Sequence, residues 1–210
     1  GYTLGTDAQI NGSGGTYVAW NWKAGGSASS NSNGSITSQV SANVDAGFSI
    51  VSYTALDSDE TVGHGLSQKP ELVLVKRRNS TGNWVSHWTN LTTTNKQLYL
   101  NLTNALDSNN INSVGASTFR VNGWADVATA NGTYISYCFH SVDGYSKVGS
   151  YVGNGNVDGP MVNLGFKPKF MIVKRATEVG VWFMFDTERS PHNVMNTKLN
   201  ANSSDAEDSD

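Results

Sequence analysis

The sequence predicts an all-β protein, an antiparallel β-sandwich of lectin-like or jelly-roll type built from an internally duplicated unit. Three observations predict it: apolar runs of strand length, Gly/Asn/Ser-rich turns between them, and a self-similarity covering most of the 210 residues. Hydrophobic residues make up only 38%, with 22 glycines, which is the profile of short strands joined by many polar turns. Six Trp, eight Tyr and seven Phe still supply enough large apolar surface to build a core, so disorder is not expected.

The repeat is the firmest signal. Lys69-Pro70-Glu71-Leu72-Val73-Leu74-Val75-Lys76-Arg77 returns 98 positions later as Lys167-Pro168-Lys169-Phe170-Met171-Ile172-Val173-Lys174-Arg175. At the same offset Trp84 meets Trp182 and Ser52-Tyr53 meets Ser150-Tyr151, while Leu100-Asn101 meets Leu199-Asn200 after a slip of one residue. A second correspondence runs at an offset of 117: Thr16 to Trp22 parallels Thr133 to Phe139, and Tyr2-Thr3-Leu4 parallels Phe119-Arg120-Val121. The expected division follows. Residues 1–22 are closing strands of a preceding repeat, 23–46 a Gly/Ser/Asn-rich linker or long loop, 47–139 a complete β unit, and 144–210 a partial second unit. Residues 1–22 are expected to complete that partial unit by covering its open edge. Both ends of the chain then read as boundaries inside a repeat of a longer parent protein. One large sandwich and two small ones both fit the pattern.

Within the complete unit the elements follow in order. Phe48 to Thr54 alternates in part, and Leu72 to Val75, close behind a proline, has the length of a strand buried on both faces; Phe170 to Val173 repeats that pattern. In Trp84-Val85-Ser86-His87-Trp88 the period of two puts both tryptophans and Ser86 on one face and Val85 and His87 on the other. Leu98 to Leu102, Thr118 to Val121 and Thr133 to Phe139 bring the unit to six or seven strands. Ser80 to Asn83, Asn122-Gly123 and Asn131-Gly132 are the turns between them. Gly153 to Gly159 reads as a hairpin loop, and Asn104 to Asn109 as the one short helical turn.

Charge and motifs exclude several classes. The net charge is −3, with Asp205, Glu207, Asp208 and Asp210 at the end of the chain, so there is no basic stripe for nucleic acid. No apolar run approaches the roughly 18 residues of a membrane span, so no membrane insertion is expected. A single cysteine, Cys138 in an apolar strand, rules out an internal disulfide and reads as a small buried thiol. There is no nucleophile elbow, P-loop, zincin motif or Cys pair. The four histidines lack ligand spacing.

What remains is binding chemistry. Trp84, Trp88, Trp124 and Trp182 present flat aromatic faces of the kind that stack on sugar rings. Trp84 and Trp182 recur at the repeat offset and compete with a core role, whereas Trp88 and Trp124 are single-copy and better suited to an exposed site. Asp57, Asp59 and Glu60 form the tightest acidic cluster and are the candidate Ca²⁺ ligands, against the plainer reading of a solvated turn; no other cofactor is expected. Glu178, Asp186 and Glu188 would be needed as paired carboxylates in a polysaccharide depolymerase, but their repeat partners Ser80, Trp88 and Asn90 are not acids. The expectation is therefore a protein without catalytic residues.

A resemblance agrees with this. Tyr17 to Gly26, Gly47 to Thr54, Val62-Gly63-His64-Gly65-Leu66, Val75 to Arg78, Phe139 to Lys147 and Gly165-Phe166-Lys167-Pro168 together resemble a repeated domain of unknown function found in tail-fibre and other tail-associated structural proteins of marine bacteriophages. The resemblance implies a non-catalytic virion protein, exposed to the medium and oligomeric, with a trimer favoured. Its partners would be other tail proteins and a host cell-surface polysaccharide or receptor. A purely structural fibre spacer is the alternative reading, and a depolymerase is the third.

Overall fold

The chain is described by a computed structural model covering residues 1–56, 59–91, 96–108, 111–192 and 194–209. Strands account for 34% of it and helix for 2%, so the protein is all-β. A short helix, α1 (Ala8–Asn11), comes first. The strands are β1 (Ser29–Asn31), β2 (Ser38–Asn43), β3 (Phe48–Thr54), β4 (Glu60–Gly63), β5 (Leu72–Arg77), β6 (Val85–Trp88), β7 (Lys96–Tyr99) and β8 (Asp107–Ser108). There follow β9 (Ile111–Val114), β10 (Thr118–Val121), β11 (Thr133–Phe139), β12 (Phe170–Lys174), β13 (Trp182–Asp186), β14 (Thr197–Asn200) and β15 (Asp208–Ser209).

Strands β1 to β11 make one sandwich. Its large sheet has the order β1-β2-β3-β11-β5-β6-β7-β8, and its small sheet the order β4-β10-β9. All paired strands are antiparallel, and the alternation of side chains decides what each face carries. Val51 and Tyr53 of β3, Val73 and Val75 of β5, Val85 of β6 and Tyr134 and Cys138 of β11 point inward. They meet Val62, Ile111, Phe119 and Val121 of the small sheet in a single apolar cluster. Each such fully buried aliphatic side chain contributes roughly 1.5–3 kcal/mol. Buried polar groups tie the large sheet to β4 and to the loops around the small sheet: Ser38 donates to the Gly63 carbonyl at 2.9 Å, Ser49 to that of His64 at 2.7 Å, and the Tyr53 hydroxyl to that of Val127 at 2.7 Å.

The second unit repeats half of the large sheet, strands β5 to β8. In β5–β6 the register pairs Leu72 with Trp88 and Val75 with Val85, and in β12–β13 it pairs Phe170 with Asp186 and Val173 with Phe183. Beyond these hairpins the correspondence moves to an offset of 101: β7–β8 pairs Lys96 with Ser108, and β14–β15 pairs Thr197 with Ser209. Side-chain bonds repeat as well. Asn101 accepts the Trp84 amide at 2.8 Å and Asn202 accepts the Trp182 amide at 2.8 Å. Leu199-Asn200 therefore matches Leu98-Tyr99, not Leu100-Asn101, and the slip is three residues instead of one.

Other expectations need correction. Residues 1–22, read as closing strands, contain α1 and extended chain, and no strand of theirs pairs with residues 144–209. What reaches across is aromatic: the Trp20 and Trp22 rings lie 5.1 and 5.7 Å from Phe170. Residues 23–46, read as a linker, contribute β1 and β2 to the large sheet. Of the helical turn expected at Asn104 to Asn109, Asn104 to Leu106 are not helical and Asp107 and Ser108 are strand; Asn109 lies outside the described residues. The Gly153 to Gly159 loop has no flanking strands and is a turn within coil. Strand β12 is half-buried throughout, whereas Val73 and Val75 of β5 are fully buried; among the described residues β12 pairs only with β13, while β5 lies between β11 and β6.

His87 sits on the inner face, in the row Ser49–Cys138–Val73–His87–Gln97 formed by successive cross-strand pairs. Burial, reinforced by the nearby Lys69 charge, lowers its pKa to about 4, and its Nδ1 has no partner among the described residues. A histidine depressed in the folded state binds fewer protons there than in the unfolded chain. Its contribution is thus intact above about pH 6.5 and is lost as pH falls toward 4, up to roughly 3 kcal/mol. Burial shifts His64 the same way. His87→Leu should therefore shrink, without abolishing, the drop in urea midpoint between pH 7 and pH 4.5; an unchanged drop would exclude His87 as its source.

Candidate functional site

The outward face of the large sheet is aromatic. Phe48, Phe139, Leu72 and Trp88 are successive cross-strand partners, with Phe48 and Phe139 stacked at 4.8 Å. Trp84 stacks on Tyr137 at 6.2 Å, and Lys76 Nζ lies 6.0 Å above the Trp84 ring while donating to the Gly82 carbonyl. The tryptophan alternation expected from sequence is present, and Trp88 Nε1 donates to Ser86 Oγ at 2.6 Å.

The four candidate tryptophans do not form one platform. Trp182 is buried, stacks on Trp88 at 6.2 Å and donates its indole N–H to the Tyr99 carbonyl at 2.9 Å. Main-chain bonds from Leu106 to Ala176 and from Gly180 to Thr103, at 2.8 and 2.9 Å, continue the same contact between the two units. Trp88 and Trp182 are thus joint residues. Trp84 is half-buried. Only Trp124, 60% exposed, offers a free ring face.

Trp124 stands in the β10–β11 connection, beside a polar cluster that the sequence did not single out. Two residues on, Asp126 accepts the Asn83 amide at 2.8 Å and the Asn83 side-chain N–H at 3.2 Å, tying this connection to the β5–β6 turn. Asn101 Nδ2 in turn donates to Asn83 Oδ1 at 3.0 Å. These bonds anchor the connection that carries the exposed Trp124. The one sequence signal for it was the repeated asparagine at 101 and 202, visible only with the three-residue slip.

The acids are engaged elsewhere. Asp57 lies outside the described residues. Asp59 pairs with Arg120 at 2.6 Å, and buried Glu60 accepts the Leu56 amide at 2.8 Å. Among the described residues no three His, Cys, Asp or Glu side chains gather as metal ligands. Glu178 pairs with Arg175 at 2.5 Å, and Asp186 with Arg189 at 2.8 Å. Burial alone would raise the Asp186 pKa; Arg189, with the amides of Arg189 and Glu188, outweighs it and holds the carboxyl below its ordinary value. A general acid needs the opposite shift. Beside Trp88, a shallow depression lined by Glu71, Asn90, Leu91 and Val148 encloses essentially no volume, against the roughly 300–1,000 Å³ of a small-molecule pocket.

Fold and surface define an all-β sandwich protein whose recognisable chemistry lies on its surface. A family profile described as Domain of unknown function (DUF7483) matches residues 1–210, and the chain belongs to that family. Neither the curated proteins nor the solved structures contain a match.

The two kinds of tryptophan should respond differently to truncation. Trp182→Ala empties a buried joint and should cost about 3–5 kcal/mol. Trp124→Ala should stay within about 0.5 kcal/mol of wild type. Urea denaturation read by near-ultraviolet circular dichroism measures both.

Proposed function

We propose that this protein is a non-catalytic structural module of a bacteriophage tail that adheres to a host-surface glycan. The observation that carries the reading is the exposed Trp124 ring on the connection that the Asn83–Asp126 bonds anchor. A flat apolar face flanked by fixed donors and acceptors matches a pyranose, which has one apolar face and an equatorial rim of hydroxyls. The shallow surface suits the end or side of a polysaccharide better than an enclosed small ligand. The resemblance to tail-associated repeats supplies the setting, outside the cell and alongside other virion proteins.

A spacer role is favoured by a different observation, the direct joint between units through Trp88, Trp182, Leu106 and Gly180. Such a joint transmits stiffness along an array, and the two roles are compatible in one module.

Glycan-array screening followed by calorimetry on the best ligand tests the adhesive role. Trp124→Ala should weaken binding by at least about tenfold, equivalent to about 1.4 kcal/mol, while Trp124→Tyr should keep most of it. Absence of any glycan binding by the wild-type protein would leave the spacer role alone.

A further inference from the structure

Strand β5 runs into its turn toward β6 through three consecutive cations, Lys76, Arg77 and Arg78. That turn is fastened to the connection that carries Trp124. The Arg78 amide donates to the Thr133 carbonyl at 2.7 Å. The Asn79 side chain donates to the Asn131 carbonyl at 3.1 Å and accepts the Thr133 amide at 3.2 Å. At its other end the turn is held by the two Asn83–Asp126 bonds. Turn and connection are therefore one loop cluster at one end of the sandwich, with its main chain fixed at both sides.

The three cations differ in what they do. Lys76 is occupied, with Nζ donating to the Gly82 carbonyl and lying over the Trp84 ring. Arg77 Nε donates to Asn79 Oδ1 at 3.2 Å, which orients the guanidinium, and Arg78 is exposed. Among the described residues neither arginine has a carboxylate partner. The acid of the connection, Asp126, accepts from Asn83 with both oxygens. The second unit resolves the same turn differently. At the offset of 98, Lys174 again donates to main-chain carbonyls, those of Arg175 and Glu178, but Arg175 pairs with Glu178 at 2.5 Å. Glu178 stands where the first unit has Ser80, and Ala176 stands where it has Arg78. The lysine thus has one local role in both units, whereas the arginine forks are without a counter-ion in the first.

We propose that the glycan bound by this protein is acidic, and that Arg77 and Arg78 receive its carboxylate or sulfate groups while Trp124 stacks on a sugar ring. The inference rests on the glycan reading above and names the ligand class of that same loop cluster. A guanidinium stays charged at every working pH, and its planar fork bonds two oxygens of one carboxylate or sulfate at once. Exposed cations attract any anion, but a turn whose main chain is already fixed presents its forks with little ordering cost on binding. Two arginines beside one aromatic ring suit an isolated charge on a sugar, and they fall short of the basic stripe that a nucleic-acid backbone requires.

Two matched polymer pairs test it on the full chain: polygalacturonate against its methyl ester, and dextran sulfate against dextran. Within each pair the anionic group is what differs, so the first reads carboxylate and the second sulfate. Calorimetry should give at least about tenfold tighter binding to the charged member of one pair, equivalent to about 1.4 kcal/mol. Arg78→Gln, which breaks no side-chain bond among the described residues, should lose at least about threefold of that preference, and Arg77→Gln/Arg78→Gln should bring it within about twofold of none. The urea midpoints of both variants should match wild type. Preference retained in the double variant overturns the proposal. So does equal affinity for charged and uncharged members, an outcome that leaves the adhesive reading standing. Preference untouched by Trp124→Ala, or single-stranded DNA bound as tightly as the better acidic polymer, reduces the site to plain charge attraction and also overturns it. Absence of binding to all four polymers and to the glycan array removes the adhesive reading itself, and the inference falls with it.

Discussion

Strand β11 forms near the end of the first unit yet lies at the middle of its large sheet. It pairs along its whole length with β3 on one side and with β5 on the other. Without it the sheet would separate into β1-β2-β3 and β5-β6-β7-β8, because no other strand bridges the two groups. Its inward residues Tyr134 and Cys138 lie in the core, and its outward Tyr137 and Phe139 carry the aromatic stacks with Trp84 and Phe48. Since β3 and β11 are far apart in sequence, closing that loop costs entropy that only the complete core repays.

The second unit shows the same strands without this constraint. Val75 is fully buried in β5, while Val173, at the same register position, is half-buried in β12. The hairpin registers and the asparagine bonds to Trp84 and Trp182 are nevertheless equal in both units. Local hairpin geometry is therefore set by β5–β8-type sequence alone, and depth of burial is set by what arrives from elsewhere. Pattern and burial are separable properties here.

That separation explains what could be read from the sequence. Apolar runs such as Leu72 to Val75 and the alternation around Trp84 to Trp88 announce themselves, because their partners lie close in the chain. Strand β2 does not. It presents Ser38, Ser41 and Asn43 along with Val40 and Ala42, and its place next to β3 is fixed by long-range pairing and not by composition. Residues 16–22 fail in the opposite direction: the sequence of a strand is there, but among the described residues no strand pairs with it, and the chain is extended without being sheet. The tryptophans were legible as important and not by role. Recurrence marked Trp84 and Trp182 as structural, but nothing local to Trp88 indicated that Trp182 would cover it. The Asn83–Asp126 pair joins two segments 43 residues apart, and only Asn101, which bonds Asn83, left a trace in the repeat.

Equivalent positions in the two units carry different chemistry at the rim. Trp88 occupies the register position of Asp186, and the first is an aromatic joint residue while the second anchors Arg189, which also reaches Glu207 at 3.0 Å. Trp124 likewise corresponds to Asp7, whose side chain caps α1 by accepting the Gln9 amide at 2.8 Å. The frame that repeats consists of main-chain ladders and the asparagine clamp on the tryptophan amide. Side chains that reach past the frame are free to differ from copy to copy, because the register does not depend on them. A single-copy exposed aromatic such as Trp124 is therefore where recognition can be placed without disturbing the fold, and a repeated buried one such as Trp182 is where it cannot.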